Sequence, residues 1–426
     1  MGSRIDKRCF ANNLPDYREG QDETMPSPQL RTRLQGQCTS LIGQIETHLS
    51  RTHGHDEGSV YVDAPGMAYM FIQVALRTRN GDYLVKADRV LDAASHRAAS
   101  VSRSMPELRP SIMCGPAGVH LLQALSAIAS LQLGRRGTSK DAVTAAVSTY
   151  LSHTPSALHH TDSDEWLYGR AGFLVGLILI KQRLSSIGIN RTVGEVDTAV
   201  HQVAERMLVS GRHYASRHRS RSPLMYAWQG DEYLGAAHGV MGILYVLMHV
   251  DSLMGGTQGA KTGAKRDIRM ALEYLLSLET AHHNWPAVVG ETADHLVHFC
   301  HGAPGAILMF VKAYQVYGDV RYLRAAERAG ECVWRYGLLR KGPGTCHGIA
   351  GNGYVLLTLF RCTRHRKWLH RACEFAGFMF TDEARQGSRT PDNPFSLYEG
   401  VAGSVCFLQD VTHDVESARF PLFELS

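Results

Sequence analysis

Strongly apolar stretches recur along the chain, and each one follows a Gly-x-x-Gly step. Residues 173–180 and 243–250 are two examples, and residues 307–316 and 354–360 continue the pattern. A helix that is apolar on most of its faces is usually buried. The pattern therefore predicts a series of buried helices, each beginning at a glycine step.

The glycine step is itself a repeat. A degenerate copy, Asp63-Ala64-Pro65-Gly66, lacks the first glycine, and successive second glycines lie 46 to 70 residues apart. A single step would be weak evidence, but a series at near-regular spacing indicates a repeat architecture. The complete copies are Gly115/Gly118, Gly169/Gly172, Gly239/Gly242, Gly302/Gly305, Gly348/Gly351 and Gly400/Gly403.

Amphipathic segments with an aromatic-Leu-x-x-Ala motif lie between the apolar ones, as at Tyr83-Leu84, Tyr322-Leu323 and Trp368-Leu369. A further helix is expected over residues 30–49. The predicted unit is a buried helix followed by an amphipathic helix, repeated seven times. In each step one glycine should permit a turn with positive φ, and the other should allow close packing.

The buried helices are too apolar to line the open face of a solenoid. Closing them into a ring removes that exposure. We therefore predict an all-α fold, an α/α barrel (toroid) of seven inner and seven outer helices, as a single domain over residues 31–426. Residues 1–30 are polar and are expected to form an N-terminal arm outside the core.

Two glycine steps carry a thiol and an imidazole directly before the first glycine. They read Cys300-His301-Gly302 and Cys346-His347-Gly348, while His238 precedes Gly239 without a thiol. A repeat architecture brings such loops to one end of the ring, so Cys300, Cys346 and His347 can meet. Two thiolates and one imidazole suit Zn²⁺, and three protein ligands leave a fourth position open, as catalytic zinc sites do.

Burial of small residues for packing is the alternative interpretation of these cysteines. Cys114 directly precedes Gly115 and is a rival ligand. The helical positions of four other cysteines predict core packing instead; these are Cys332, Cys362, Cys373 and Cys406.

Composition changes this picture little. The net charge is +5 with acids and bases interspersed, which gives no sign of nucleic-acid binding. The 9 cysteines have no disulfide-like spacing, and no apolar run has the length of a membrane span. We expect a cytosolic protein with reduced thiols and no stable membrane insertion. Myristoylation at Gly2 is disfavoured, because position 6 is Asp where the signal has Ser or Thr.

The two Cys-His-Gly motifs, the Gly235-Ala236-Ala237-His238-Gly239 segment and the repeated glycine steps resemble the LanC-like proteins, eukaryotic relatives of bacterial lanthionine synthetase cyclases. The resemblance covers nearly the whole chain. Among animal members it is strongest to the third paralogue group, judging by Lys7-Arg8-Cys9-Phe10, Lys341-Gly342-Pro343-Gly344 and Glu399-Gly400.

The resemblance implies a seven-plus-seven α/α barrel with one zinc ion on Cys300, Cys346 and His347. It also implies an association with glutathione and with dehydroamino acids in damaged proteins. The positions that match the family's glutathione contacts are Lys341, Arg389, Thr390, Pro391, Asp392 and, as a weaker match, Arg8. Basic side chains there would hold the glutathione carboxylates.

The implied chemistry is attack of a zinc-bound thiolate on the β-carbon of dehydroalanine or dehydrobutyrine, followed by protonation at Cα. His238 matches the family histidine proposed as the acid, and His301 is a second candidate or an orienting group. Glu165 stands where the bacterial enzymes have an acid/base aspartate. Leu296 replaces a cyclase arginine, which argues against ring closure on a lanthipeptide precursor.

The leading hypothesis is therefore zinc-dependent addition of glutathione to dehydroamino acids in proteins. The rival is a non-enzymatic scaffold or signalling protein that binds zinc and glutathione. A carbohydrate-active α/α barrel would need two facing carboxylates, for which the sequence offers Asp164 and Glu165, with Asp63 and Glu399 at other repeat mouths.

Overall fold

A computed structural model describes residues 5–20, 24–51, 58–159, 161–255 and 263–426. These residues are largely helical, and their only extended pairings are two isolated bridges, Cys9 with Leu339 and Trp228 with Asp231. The α-helices in chain order are α1 (Pro28–Arg51), α2 (Ala64–Thr78), α3 (Asp82–Ser104), α4 (Pro116–Gln132), α5 (Lys140–Leu151), α6 (Thr154–His159), α7 (Arg170–Ile187), α8 (Asn190–Arg217), α9 (Val240–Leu247), α10 (Asp251–Met254), α11 (Ala264–Ser277), α12 (Ala303–Tyr317), α13 (Val320–Tyr336), α14 (Ile349–Thr363), α15 (Arg366–Phe378), α16 (Asp382–Gly387) and α17 (Val401–His413).

The apolar stretches form buried helices, as predicted. In α14 every residue from Ile349 to Leu359 is buried, and α9 is buried throughout. The amphipathic partners bury one stripe only. In α13 that stripe is Tyr322, Ala325, Ala326, Ala329 and Val333, the spacing of one helix face.

The last amphipathic partner comes from the other end of the chain. The described residues after α17 form no further helix; instead α1 packs against α17. Arg31 donates from Nη1 to the Thr412 carbonyl at 2.9 Å, and Gln409 Nε2 lies 3.1 Å from Cys38 Sγ. The predicted order, with each amphipathic helix after its buried one, is therefore wrong for this pair. The residues after α17 instead bury Phe420 and Phe423.

The steps need glycine because there is no room for a side chain there, and not because the backbone has a positive φ. At the second glycine, a Cβ on Gly118, Gly172, Gly242, Gly351 or Gly403 would lie 1.8–2.2 Å from the carbonyl oxygen six residues earlier. At the first glycine φ is extended in five steps, and only Gly302 is left-handed, at +105°. The prediction of a positive-φ turn at each step is therefore wrong except at Gly302. Glycine is needed instead because the loop backbone leaves no room for a side chain at either position of the step.

Consecutive step loops are linked by hydrogen bonds. Ser111 Oγ donates to the Leu167 carbonyl at 2.8 Å, and Trp166 N donates to the Ala237 carbonyl at 3.1 Å. Thr345 Oγ1 repeats the first contact with the Leu397 carbonyl at 2.9 Å. The loops therefore hold one another in register, which fixes the side chains that precede each glycine.

The chain divides into two compact units. The first unit comprises the described residues of Met1–His55 together with Leu278–Glu424, and the second comprises those of Asp56–Ser277 with Leu425–Ser426. The single domain over residues 31–426 stays a prediction. None of the helices in the described residues has the length and apolarity of a membrane span.

Part of the polar N-terminal segment is packed in the first unit. Phe10 is 1% exposed, and its backbone N donates to the Leu338 carbonyl at 2.7 Å. Asp16 accepts two hydrogen bonds from the Arg371 guanidinium, at 2.9 and 2.8 Å. The polar composition of residues 1–30 did not predict this burial. Gly2, the myristoylation position considered above, lies outside the described residues.

Candidate functional site

Cys300, Cys346 and His347 come together in the first unit. Their possible ligand atoms all lie within 4.8 Å of one another. The cysteines are buried, with Cys346 2% and Cys300 8% exposed, and His347 is half-buried. The three side chains arrive from the loops before α12 and α14, which were the two Cys-His-Gly copies. The structure thus assembles the predicted trio.

Backbone hydrogen bonds between loops hold this trio. Phe299 N donates to the Cys346 carbonyl at 3.0 Å, and Cys346 N donates to the Tyr398 carbonyl at 2.9 Å. Cys346 is thereby tied to a neighbouring step loop through each of its backbone groups, and Cys300 directly follows the residue that donates to it. Their positions therefore follow from the repeat and not from flexible side chains.

The loop before α12 has one further support, Asn284. Its Oδ1 accepts from Ala303 N at 2.6 Å, at the start of the helix, and its Nδ2 donates to the Leu296 carbonyl at 3.0 Å. A Cβ at Gly302 would lie 2.1 Å from that carbonyl and 2.6 Å from Asn284 Oδ1. With its left-handed φ, this position therefore accepts only glycine.

The thiols of this site favour a bound cation. The hydrogen bond with Cys300, burial and the charge of Cys300 raise the pKa of Cys346 well above its ordinary value. Burial opposes the charged form of His347, but the charge and hydrogen bond of Cys346 leave its pKa raised. Two buried thiolates are costly without a compensating charge, which a divalent cation supplies. The donor set fits zinc.

His298 also lies at this site, although no motif of the sequence predicted it. It is 4% exposed, and its Nδ1 lies 3.9 Å from Cys300 Sγ. Burial, followed by the nearby charges of His347, Arg8 and Lys341, holds the pKa of His298 well below its ordinary range. It lies outside the Cys-His-Gly motif, so the repeat gave no signal for it.

Three segments match the family's glutathione contacts, namely those of Arg8, Lys341 and residues 389–392. They meet around Arg340 and Gly342. Arg340 N donates to the Arg8 carbonyl at 3.0 Å, and Arg389 N donates to the Arg340 carbonyl at 2.7 Å. Pro391 Cγ lies 3.4 Å from the Cβ position of Gly342. Segments far apart in sequence are thus brought together beside the loop that carries Cys346 and His347.

Their side chains remain accessible to different degrees. Lys341 and Arg8 are half-buried, and both act electrostatically on His298, which adjoins the trio. Pro391 is half-buried, and the rest of its loop is exposed, namely Arg389, Thr390 and Asp392. The arrangement places a basic surface next to the candidate metal ligands.

Glu165 and His238 form a second cluster, in the second unit. His238 Nδ1 lies 2.9 Å from Glu165 Oε2, and Glu165 is 2% exposed. Glu165 also accepts from Leu167 N at 2.9 Å and from Ser163 Oγ at 3.1 Å. Because a carboxylate only accepts, Nδ1 of His238 donates the shared bond, and Nε2 is the ring nitrogen that Glu165 does not contact.

Aromatic rings frame His238. Trp228 stacks on it with centroids 4.0 Å apart and planes 9° apart, and Tyr168 and Tyr233 lie nearby. Trp228 is presented by a tight turn in which Gln229 and Gly230 have φ of 50° and 91°. Trp228 was not predicted from the sequence, because no repeat marks it.

Other candidates lie elsewhere. Cys114 belongs to the second unit, where burial raises its pKa to about 12; it does not belong to the Cys300 trio. Asp164 forms a buried ion pair with Arg170 at 3.0 Å, and Glu165 is held by His238, so neither is an open carboxylate of a glycosidase pair. His301 follows Cys300 and is half-buried.

The cysteines predicted to pack in the core are mostly buried. This is confirmed for Cys332, Cys373 and Cys406, which are 3–4% exposed. Cys362 is only half-buried, so the prediction is wrong there. It lies near the C-terminal end of α14, beyond the fully buried stretch that ends at Leu359.

Comparisons with known proteins bear on the family and the fold of the chain. A family model described as "Lanthionine synthetase C-like protein" matches residues 54–425. A relative from Danio rerio, named Glutathione S-transferase LANCL1, is 32% identical over 431 residues, covering 99% of this chain and 100% of that protein. The solved structure of nisin cyclase matches with a TM-score of 0.63 at 16% identity, over 92% of this chain and 97% of that one.

At that identity, the likeness to nisin cyclase bears on the fold alone. It confirms the predicted all-α fold class, an α/α barrel. Membership of the third animal paralogue group stays a prediction. The family model and the relative lead to the same conclusion: the chain belongs to the lanthionine synthetase C-like family.

Proposed function

We propose that this protein catalyses the zinc-dependent addition of glutathione to dehydroalanine and dehydrobutyrine residues in proteins or peptides. The observation that carries the proposal is the buried trio of Cys300, Cys346 and His347, with ligand atoms within 4.8 Å of one another. The name of the Danio rerio relative supports glutathione as the thiol.

Cys300, Cys346 and His347 would hold the zinc ion, and the two thiolates would offset its double charge. When bound, zinc lowers the pKa of a thiol, so that thiolate is available at neutral pH. The role of the three side chains is to hold the cation in a buried pocket.

Basic groups beside the trio would bind the glutathione. The peptide has two carboxylates, and Arg8, Lys341 and Arg389 are the cations that the Arg340–Gly342 segment gathers. Arginine binds a carboxylate bidentately. Thr390, Pro391 and Asp392 complete this loop, where Asp392 is an exposed acid for the glutathione ammonium group.

Addition requires a proton at the neighbouring carbon. When the thiolate sulfur bonds to the β-carbon, the electron pair of the double bond moves to Cα and must be protonated there. We assign His238 as the acid, because the Glu165 carboxylate fixes the orientation of its ring through Nδ1 and so makes Nε2 the nitrogen that would transfer the proton. His301 is the second candidate. Glu165 acts through His238, as its positioning residue.

The test is mass spectrometry of a dehydroalanine peptide incubated with glutathione and the zinc-loaded protein. We expect an adduct with the mass of peptide plus glutathione. Cys346→Ala should abolish catalysis, and His238→Ala should lower the rate about 100- to 10,000-fold, the usual contribution of a general acid. Glu165→Gln should lower the rate less, without loss of zinc.

Cys373→Ala is the matched control, because it removes another buried thiol that lies within helix α15 and outside both Cys-His-Gly motifs. It should keep full activity. An adduct rate equal to the uncatalysed rate in the wild-type protein would contradict the proposal.

A non-enzymatic scaffold that binds zinc and glutathione is the second candidate function. The near-complete burial of Cys346 and Cys300 favours it, because burial restricts the access that a reacting thiol and peptide need. It predicts that zinc and glutathione bind, by calorimetry, to a wild-type protein that forms no adduct above background.

A further inference from the structure

His298 makes a contact that neither the motif nor the family comparison assigns. Its Nδ1 lies 3.9 Å from Cys300 Sγ, a separation that the large radius of sulfur allows for a hydrogen bond. Its backbone N donates to the His301 carbonyl at 3.0 Å, which fixes the turn that carries both residues. The imidazole therefore faces the thiol from within the same loop.

We infer that His298 is a positioning residue for Cys300, which it holds by donating a hydrogen bond from Nδ1–H to the ligand sulfur. The inference rests on the zinc site proposed above. A thiolate only accepts hydrogen bonds, so Nδ1 carries the proton whenever Cys300 is a metal ligand. Hydrogen bonds of this kind orient metal ligands and tune the metal they hold.

A packing role alone does not account for a histidine at this position. A buried polar ring is costly unless it is hydrogen-bonded, and an apolar side chain would fill the space without that cost. The contact with Cys300 Sγ supplies the hydrogen-bond partner for one ring nitrogen, and an apolar side chain could not make it.

The hydrogen bond has a consequence for the metal. It draws electron density from the Cys300 sulfur, so this ligand gives less charge to the cation. A cation that receives less charge from its protein ligands stabilises an incoming thiolate more strongly. Without the bond Cys300 is no longer held in place, and this loss of orientation should loosen the metal. The electronic spectrum of the site should also change, because the sulfur then gives more charge to the cation, while the ligand set stays the same.

The experiment uses the full chain and two metals. Zinc affinity is measured by competition with a chromophoric chelator, and Co²⁺ is bound separately to record the sulfur-to-cobalt charge-transfer absorption. We expect His298→Phe to weaken zinc binding about 10- to 100-fold, the usual effect of losing such a partner. We also expect its cobalt band to move to longer wavelength, because a sulfur without the hydrogen bond gives up charge more easily.

His298→Asn should restore most of both properties, because its Nδ2–H can occupy the place of Nδ1–H. Should the phenylalanine ring not fit, His298→Leu removes the donor with a smaller side chain and gives the same test. His153→Phe is the control, since it replaces another buried histidine, 7% exposed, in the second unit. It should leave both metal measurements unchanged.

The outcomes separate this inference from the proposed function. A His298→Phe protein with wild-type zinc affinity and an unchanged cobalt band would overturn the role of His298 and leave the zinc site standing. Wild-type protein that binds no zinc, or a Cys300→Ala variant that binds zinc as tightly as wild type, would overturn the site itself and this inference with it.

Discussion

At the scale of single residues, burial decides which groups carry charge. His120 Nδ1 and His153 Nε2 lie 2.7 Å apart in the second unit, so one of these two nitrogens donates a hydrogen bond that the other accepts. Burial, with the charges of His120 and Arg109, lowers the pKa of His153 to about 4, and burial lowers the pKa of His120. Both rings are therefore neutral near pH 7.

This pair should make the protein less stable in mild acid. The unfolded chain binds a proton at His153 near the ordinary histidine pKa of 6.5, whereas the folded chain does so only near pH 4. Stability is therefore lost as the pH falls from 6.5 towards 4. We expect His153 to account for about 2 kcal/mol of that loss between pH 7.5 and pH 5.

Urea unfolding of wild type and His153→Asn at these two pH values measures the difference. The loss on acidification should be smaller by that amount in the variant, whatever its stability at pH 7.5. His159→Asn, which removes an exposed histidine from the same segment, is the control. Equal acid losses in wild type and His153→Asn would contradict the assignment.

The sequence predicted those site residues that a repeat marks. Cys300, Cys346 and His347 could be found because two copies of one motif share a register, and repeats superpose. His298 and Trp228 could not, since each occurs once and its contact depends on how one loop turns. The turn that places Trp228 depends on positive φ at Gln229 and Gly230. Only the glycine is a residue type from which such a turn can be predicted.

At the scale of helices, the step glycines set how closely each loop approaches the helix that follows. The backbone of the loop occupies the space where a side chain would begin. Thr345 O, for example, lies 1.8 Å from the Cβ position of Gly351 in α14. The sequence correctly indicated close packing here, but the carbonyl that causes it could be identified only from the fold.

A methyl group at Gly351 should therefore separate Thr345 from α14. We expect Gly351→Ala to lower the free energy of unfolding by several kcal/mol, more than the ordinary range for a point mutation. It should also weaken zinc binding, because Cys346 and His347 lie on the displaced loop. Thermal unfolding and chelator competition measure the two effects.

Gly36→Ala in α1 is the matched control, because a Cβ there meets nothing within 4 Å. It should stabilise the protein by about 0.5–1 kcal/mol, since alanine is the better helix former. A Gly351→Ala protein as stable as Gly36→Ala would show that the loop has room to move.

The N-terminal segment is held to the outer helices by an ion pair. Arg371 in α15 is 5% exposed, binds Asp16 through two nitrogens and reaches Glu331 in α13 at 2.8 Å. Nearer the N-terminus of the same segment, the Arg8 carbonyl accepts a hydrogen bond from Arg340 N. The ion pair thus helps to keep Arg8 beside Lys341.

Asp16→Ala should weaken glutathione binding a few-fold, in line with about 1 kcal/mol for a partly exposed ion pair. Zinc affinity should not change, because the metal ligands are on other loops. Calorimetric titration with glutathione and chelator competition measure the two. Glu19→Ala, which removes an exposed acid from the same segment, should affect neither. An equal loss in both variants would point to net charge instead.

At the scale of the whole molecule, the candidate chemistry is distributed over both compact units. The first unit holds Cys300, Cys346, His347 and the segments that meet at Arg340, and the second holds Glu165 and His238. The repeat predicted the number of buried helices, because each leaves a glycine step. The repeat did not predict that α1 would pack against α17, the last buried helix, since that pairing joins opposite ends of the chain.

The central claim is that one zinc ion, held by Cys300, Cys346 and His347, makes the protein an enzyme. Its most direct test is to strip the protein with a chelator, add zinc in steps and measure glutathione adduct formation at each step. We predict no activity in the stripped protein and a linear rise that saturates at one zinc per chain. Full activity in the stripped protein, or zinc uptake to one per chain without any adduct, would contradict the claim.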